Sequence, residues 1–180
     1  MAKKIQKKPA KKTVKKAAAK KADKKPASSS SQRTTTISPY LTFNGNCYDA
    51  FHFYRFVFGG NFGHIGRFSD MPDTGGKPVS PFDAEKIMHI SLPIGKEAVL
   101  MGCDSSQQFG RATVTGNNFS ISINTYSQIE ADRLYNALCD GGKRTMPMNQ
   151  TFWGSYFGML TDKFGIQWMI SFDAKPAVKK

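Results

Sequence analysis

Two glycine pairs, Gly59-Gly60 and Gly141-Gly142, stand 82 positions apart, and each closes a segment with helical apolar spacing. In CYDAFHFYRFVFGG, the residues Ala50, Phe53, Tyr54 and Val57 recur on one helix face, and Asn46 precedes them as a candidate N-cap. In SQIEADRLYNALCDGG, the residues Ile129, Leu134, Ala137 and Leu138 recur in the same way, with a cap expected from 125–127. A strand-like run leads into each helix, 37–43 before the first and 117–124 before the second. In the latter, Phe119, Ile121 and Ile123 alternate with Ser120, Ser122 and Asn124, the pattern of a half-buried strand. Three more strand-like runs follow each helix: 61–68, 84–94 and 97–103 in the first half, then 143–148, 156–161 and 166–171 in the second. Gly95-Lys96 reads as a hairpin turn, 162–165 as another, and 69–82, rich in Pro, Gly and Asp, as a long loop. The order β-α-β-β-β therefore occurs twice, and the offset places Ser38 on Ser120, Leu41 on Ile123 and Phe53 on Tyr135. The pattern predicts an α+β domain over 37–173. It consists of two βαβββ modules, each a curved mixed sheet with a helix on its outer face, enclosing a concave cleft for a small ligand.

Composition separates this domain from what precedes it. Residues 1–36 hold twelve lysines and Arg33 against one acid, Asp23, while the rest of the chain holds thirteen basic residues and twelve acids. The basic character is therefore a property of the tail. With Ile5 and Val14 as its only large apolar residues after Met1, the tail cannot bury enough surface to offset backbone ordering. It is expected to be disordered, with 28–36 as a flexible linker and 174–180 as a short basic C-terminal tail. Lysine pairs spaced by Ala and Pro over residues 3–25 resemble linker-histone tails. They imply sequence-independent, salt-sensitive contact with nucleic acid or an anionic surface, and hence a nucleoid-associated alternative to a plain cytoplasmic location. No run has the length and apolarity to span a bilayer, so no membrane insertion is expected, and no apolar stretch follows the tail's charges as in a secretory signal. Cys47, Cys103 and Cys139 are odd in number and lack CxxC spacing, and read as reduced thiols of an intracellular protein. Gly75-Gly76-Lys77 lacks the spacing and following helix of a phosphate-binding loop.

The segments SPYLTFNGNCYDAFHFYRFVFGG, KIMHISLPIG, EAVLMGCD and QTFWGSYFGMLTDKFGIQWMI together carry a resemblance. Over residues 37–172 the chain resembles the PhnB-like branch of the vicinal-oxygen-chelate superfamily, which includes glyoxalases, bleomycin-resistance proteins and extradiol dioxygenases. The resemblance implies paired βαβββ modules and a homodimer. In the superfamily's enzymes it also implies a divalent metal held by His, Glu or similar residues on the first and last strand of each module. Those positions fall on Ser38, Met101, Ser120 and Met169. A serine hydroxyl and a thioether are poor ligands for such ions, so no metal cofactor is expected. What the resemblance then implies is a metal-free protein that holds a small apolar or aromatic molecule. The alternative is an enzyme (lyase, isomerase, transferase or dioxygenase type) whose metal is held by other residues.

Individual residues refine the expected cleft. In KIMHISLPIG, the residues Met88, Ile90 and Leu92 share one face and Ile87, His89 and Ser91 the other. If the Met88 face packs on the helix, His89 points into the cleft as a polar anchor or an acid/base group, the one catalytic candidate; a hydrogen-bonded structural histidine is the plainer reading. Ser38, Tyr40, His89, Met101, Ser120, Trp153 and Met169 form the expected lining. Of the other histidines, His52 reads as a surface or edge side chain of the first helix and His64 lies on the following strand. Cys47 stands in the first turn of that helix, where the helix dipole favours a thiolate, but it also suits a small apolar filler. Cys103 and Cys139 have core-type neighbours and are expected to be inert.

Overall fold

The structure, a computed structural model, describes residues 36–72, 78–108, 110 and 113–174. The lysine-rich tail over 1–35, most of the C-terminal tail and the Gly75–Lys77 segment lie outside the described residues.

The duplication is present. The first module contains β1 (Tyr40–Phe43), α1 (Cys47–Phe58), β2 (His64–Arg67), a short helix α2 (Pro81–Ala84), β3 (Ile87–Ile94) and β4 (Ala98–Asp104). The second contains β5 (Ile121–Thr125), α3 (Gln128–Leu138), β6 (Lys143–Gln150), β7 (Ser155–Thr161) and β8 (Gln167–Asp173). The two sheets have the same topology, β1-β4-β3-β2 and β5-β8-β7-β6. In each, the strand before the helix runs parallel to the last strand of the module, with Tyr40 beside Met101 and Ser122 beside Met169. The remaining pairings are antiparallel. A strand that enters a helix cannot return as a hairpin partner, so it pairs across the module with the last strand.

Alternation along the strands sorts side chains to two faces. Leu41, Phe43, Ile90, Leu92 and Leu100 are buried under α1, and Leu160, Trp168 and Ile170 under α3. Ala50, Phe51, Tyr54 and Val57 of α1 and Ala131, Leu134, Tyr135 and Leu138 of α3 complete one continuous core. Phe51, which the helical spacing did not single out, is fully buried because Gly102 leaves room for its ring: a β-carbon there would stand 2.6 Å from Phe51 Cε2. Phe53 is only partly buried against this core. Ile129, expected inside, is 83% exposed, because it falls in the first turn of α3 on the side away from the sheet.

Local corrections follow from partners that are remote in sequence. The loop expected over 69–82 contains a 3-10 turn, Phe68–Asp70, and α2, whose Ser80 Oγ accepts from Phe82 N at 3.2 Å. The strand expected from 84 begins at Ile87, and that expected from 37 begins at Tyr40. Asn46 makes no side-chain cap. Instead the buried Asp104 accepts from Gly45 N and Cys47 N at 2.9 Å and, through its other oxygen, from Ile87 N at 2.9 Å. At α3 the expected cap is present, Ser127 Oγ accepting from Glu130 N.

The modules meet through their helices and the turn between β7 and β8. Asp162, 4% exposed, accepts from Tyr54 Oη and Trp168 Nε1 at 2.8 Å each on one oxygen, and from Phe164 N and Ile166 N on the other. Phe164 packs edge-on to Phe43, and Trp168 to Tyr54. Arg133 of α3, held by two 2.7 Å bonds to Glu130, donates to the Val57 carbonyl near the end of α1 at 3.0 Å.

Candidate functional site

The face of the first sheet turned away from α1 carries most of the chain's candidate chemistry. Register puts Tyr40 beside Met101, Met101 beside Ser91, and Ser91 beside His64. His89 lies opposite Gly66 on the same face. Tyr40 Oη and His89 Nδ1 are 3.3 Å apart, and their rings stack at 5.8 Å with planes 26° apart. His64 continues the row, its ring 5.7 Å from that of His89 and tilted by 31°. Gly66 makes this possible: a β-carbon there would come within 2.9 Å of His64 Nε2, so a bare backbone leaves space for the imidazole to lie toward His89. Cys103 is half-buried on this face, with Sγ 3.9 Å from Thr42 Oγ1. Burial, then the hydrogen bond and charge of Cys103, push the Tyr40 phenol up to about 12, so it remains a neutral donor over the ordinary pH range.

The corresponding face of the second sheet is chemically different. Ser122, Met169 and Met159 lie side by side across β5, β8 and β7, with Ser171 and Phe157 as the next row. Phe157 leads to Trp153 and the 97% exposed Phe152 at the β6–β7 turn. No ionisable group stands in these two rows.

The seven expected lining residues are therefore divided between two sheets. Tyr40, His89 and Met101 come together on the first. Ser38 lies just ahead of it, before β1. Met169 lies on the second, Ser120 immediately precedes β5, and Trp153 stands 58% exposed at the hairpin turn. On β3, His89 and Ser91 share the face turned away from α1, whereas Ile87, expected on that face, is buried because the bulge at Gly66/Arg67 breaks the alternation. Sequence reasoning missed His64 as a neighbour of His89. It also misplaced Cys103, which alternation with Met101 puts on the open face rather than in the core. His52 is half-buried at the edge of the helix, with Nε2 shielded from solvent and the ring between those of Tyr48 and Phe62. Cys47 is fully buried, and burial followed by the Asp104 carboxylate drives its thiol up, overriding any helix-dipole effect.

An open groove of about 710 Å³ lies elsewhere, between the β1–α1 turn around Asn44, the segment around Val114 and the β7–β8 turn around Phe164. Polar groups such as Thr42, Asn46 and Gln167 and apolar side chains such as Phe119, Phe164 and Ile166 border it together, and none of the seven expected residues lines it.

The metal positions of the resemblance can be tested directly. Ser38, Met101, Ser120 and Met169 offer two hydroxyls and two thioethers, a donor set that does not fit a hard or borderline divalent ion. Among the described residues, no group of three or more His, Cys, Asp or Glu side chains is arranged to hold a metal ion.

Comparison with known proteins agrees with this architecture. Residues 35–171 match the family model described as 3-demethylubiquinone-9 3-methyltransferase. The protein YjdN of Escherichia coli is 30% identical over 141 residues, covering 75% of this chain and 93% of its own length. The crystal structure of protein PA1353 from Pseudomonas aeruginosa is 39% identical with a TM-score of 0.68, covering 79% of this chain and all of that one. A putative 3-demethylubiquinone-9 3-methyltransferase, PhnB protein, from Bacillus cereus shares the fold at 22% identity and a TM-score of 0.59, over 77% of this chain and 99% of that one. The chain belongs to the 3-demethylubiquinone-9 3-methyltransferase family, and serine and methionine stand at the four positions where its resemblance to the vicinal-oxygen-chelate superfamily would place metal ligands.

Proposed function

We propose that this protein binds a small apolar or aromatic molecule without a metal, in a cleft built from the open sheet faces, and acts by holding that molecule. The observation that carries this reading is the replacement of the metal-ligand positions by Ser38, Ser120, Met101 and Met169, with both methionines on the open faces. Thioethers beside Tyr40, Phe157 and Ser side chains make a polarisable, weakly polar surface that suits an aromatic guest. Within one chain the modules join through α1, α3 and the β7–β8 turn rather than strand against strand. A homodimer in which a second copy brings one open face opposite another therefore completes the cleft. Metal analysis of the purified protein, together with a thermal-shift screen of aromatic compounds, tests the reading. A bound aromatic raises the unfolding temperature by mass action. A stoichiometric divalent ion lost on His89→Ala would instead favour the enzyme alternative.

The tail supports a second activity. Its twelve lysines favour weak, non-specific association with nucleic acid or another anionic surface, through charge neutralisation alone. Deleting residues 1–36 is expected to abolish retention on DNA at low salt; unchanged retention would remove the idea.

A further inference from the structure

We infer that the row Tyr40–His89–His64 is an anion-recognising site, and that the molecule held on the first sheet is a planar aromatic acid: a ring bearing a carboxylate, sulfonate or similar group. The inference rests on the small-molecule reading above and narrows it.

Three observations converge. First, the two imidazoles are adjacent, 5.7 Å between ring centroids, and half-buried to exposed on an open sheet face. Second, among the described residues neither His64 nor His89 meets a carboxylate, and the polar side-chain contact that either ring makes there is that of Tyr40 Oη with His89 Nδ1. The other titratable groups on this face are Tyr40 on β1 and Cys103 on β4; β2 and β3 add none besides the two histidines. Arg67, at the end of β2, is turned to Glu85 and to the ring of Tyr48. Two cationisable rings side by side without an acid repel each other once charged, and an anion placed between them relieves that repulsion. Third, the row is held in place: Gly66 gives His64 its space, and Tyr40 engages Nδ1 of His89. That contact leaves Nε2 of His89 for a ligand. The neutral phenol of Tyr40 can also serve as a hydrogen-bond donor to an anionic oxygen. The thioether of Met101, next to Tyr40 in register, offers a contact for the ligand's ring.

Two imidazoles without a third metal-ligating partner are a poor metal site but a sufficient anion site, because each supplies N–H donors when protonated.

The experiment uses the full-length protein and two probes, benzenesulfonate, whose charge is constant over the working range, and neutral benzyl alcohol. Binding is measured calorimetrically at about pH 6 and about pH 8, the interval in which imidazole changes charge. Benzenesulfonate is expected to bind at the lower pH and to weaken roughly tenfold or more at the higher one. His64→Gln and His89→Gln should each remove most of that pH dependence. Gly66→Ala, which displaces the His64 ring while keeping both histidines, should weaken the sulfonate as His64→Gln does. The lysines of the tail keep their charge over this interval, so any sulfonate they attract adds a pH-independent background that no histidine variant changes. Equal affinity for benzyl alcohol and benzenesulfonate at both pH values would overturn the anion site and leave the aromatic-binding reading standing. Binding of neither probe would count against both. A pH dependence untouched by the histidine variants in folded protein would also overturn the inference.

Discussion

The two modules share strand order, pairing direction and helix placement, yet their open faces carry different chemistry. On the helix side both are filled with leucine, isoleucine and aromatic rings. On the other side the first displays Tyr40, His64, His89 and Cys103, and the second displays Met159, Met169, Phe157, Ser122 and Ser171. A helix face must bury apolar surface whatever the protein does, so duplication constrains it in both copies. An open face is free of that demand and can diverge. The contrast therefore separates the side that holds the molecule together from the side that is free to vary. It puts both open-face imidazoles in the first module, while the second open face carries the titratable Asp173 at the end of β8, paired with Ser155.

The largest effect should come from the joint between modules. Asp162→Ala strands the buried Tyr54 hydroxyl, the Trp168 indole N–H and two backbone N–H groups, and should cost about 3–5 kcal/mol in urea unfolding. A loss below about 1 kcal/mol would show that water replaces the carboxylate and that the joint is loose.

The contrast between sides can be tested by matched truncations. Ile90→Ala and Ile170→Ala, both at fully buried sites on the helix side, should each cost about 2–5 kcal/mol. Met101→Ala and Met169→Ala on the open faces should cost about 1 kcal/mol or less while changing ligand affinity. Equal losses in all four would mean that the open faces are packed as tightly as the core instead of flanking a cleft; a concentration-dependent unfolding midpoint would report the dimer in either case.

Thiol reactivity divides the first module in the same way. Cys103, half-buried on the open face, should react with a soluble disulfide reagent in the native protein, whereas Cys47 should react only on unfolding. Protection of Cys103 by an added aromatic ligand would place that ligand on this face.

The smallest effect is spectroscopic. Tyr40 is held up at about 12 against the usual 10, so the folded state favours its neutral form. Its contribution to stability is complete below about pH 10 and is lost as pH rises through about 12. The difference between the alkaline absorbance titrations of wild type and Tyr40→Phe should therefore isolate a late step. A step near pH 10 would mean the phenol is free in water.

Much of this organisation is legible in the chain because it is written in local periods. Alternation in NNFSISIN and helical spacing before each glycine pair suffice for the repeated β-α-β-β-β order, and alternation in KIMHISLPIG puts His89 and Ser91 on one face, although which face is decided by the burial of Ile90 and Leu92 under α1. What escaped depends on pairings between distant segments. Phe51 enters the core because Gly102, on a strand paired across the module, makes room for it. Asp104 and not Asn46 serves the start of α1, across 57 residues. His64 joins His89 only through the register of β2 on β3 and the space over Gly66. Ile129 shows the opposite failure, a residue with the right spacing whose turn faces solvent.

The Asp162 joint also bears on ancestry. Its carboxylate comes from the turn after β7 and its tyrosine partner from α1, while the turn at the matching place in the first module, after β3, offers the exposed Gly95, Lys96 and Glu97. Two identical halves meeting about a twofold axis would make such a contact twice, reciprocally. Here it is made once, in one direction. The halves have thus lost their interchangeability: a chain assembled from two first modules would have an acceptor missing at its seam, and one assembled from two second modules would lack the tyrosine that meets it, since Tyr135 is already committed to the Met146 carbonyl. Once the seam became one-way, each copy was fixed in its place, and its outer surface could be altered without the other having to follow.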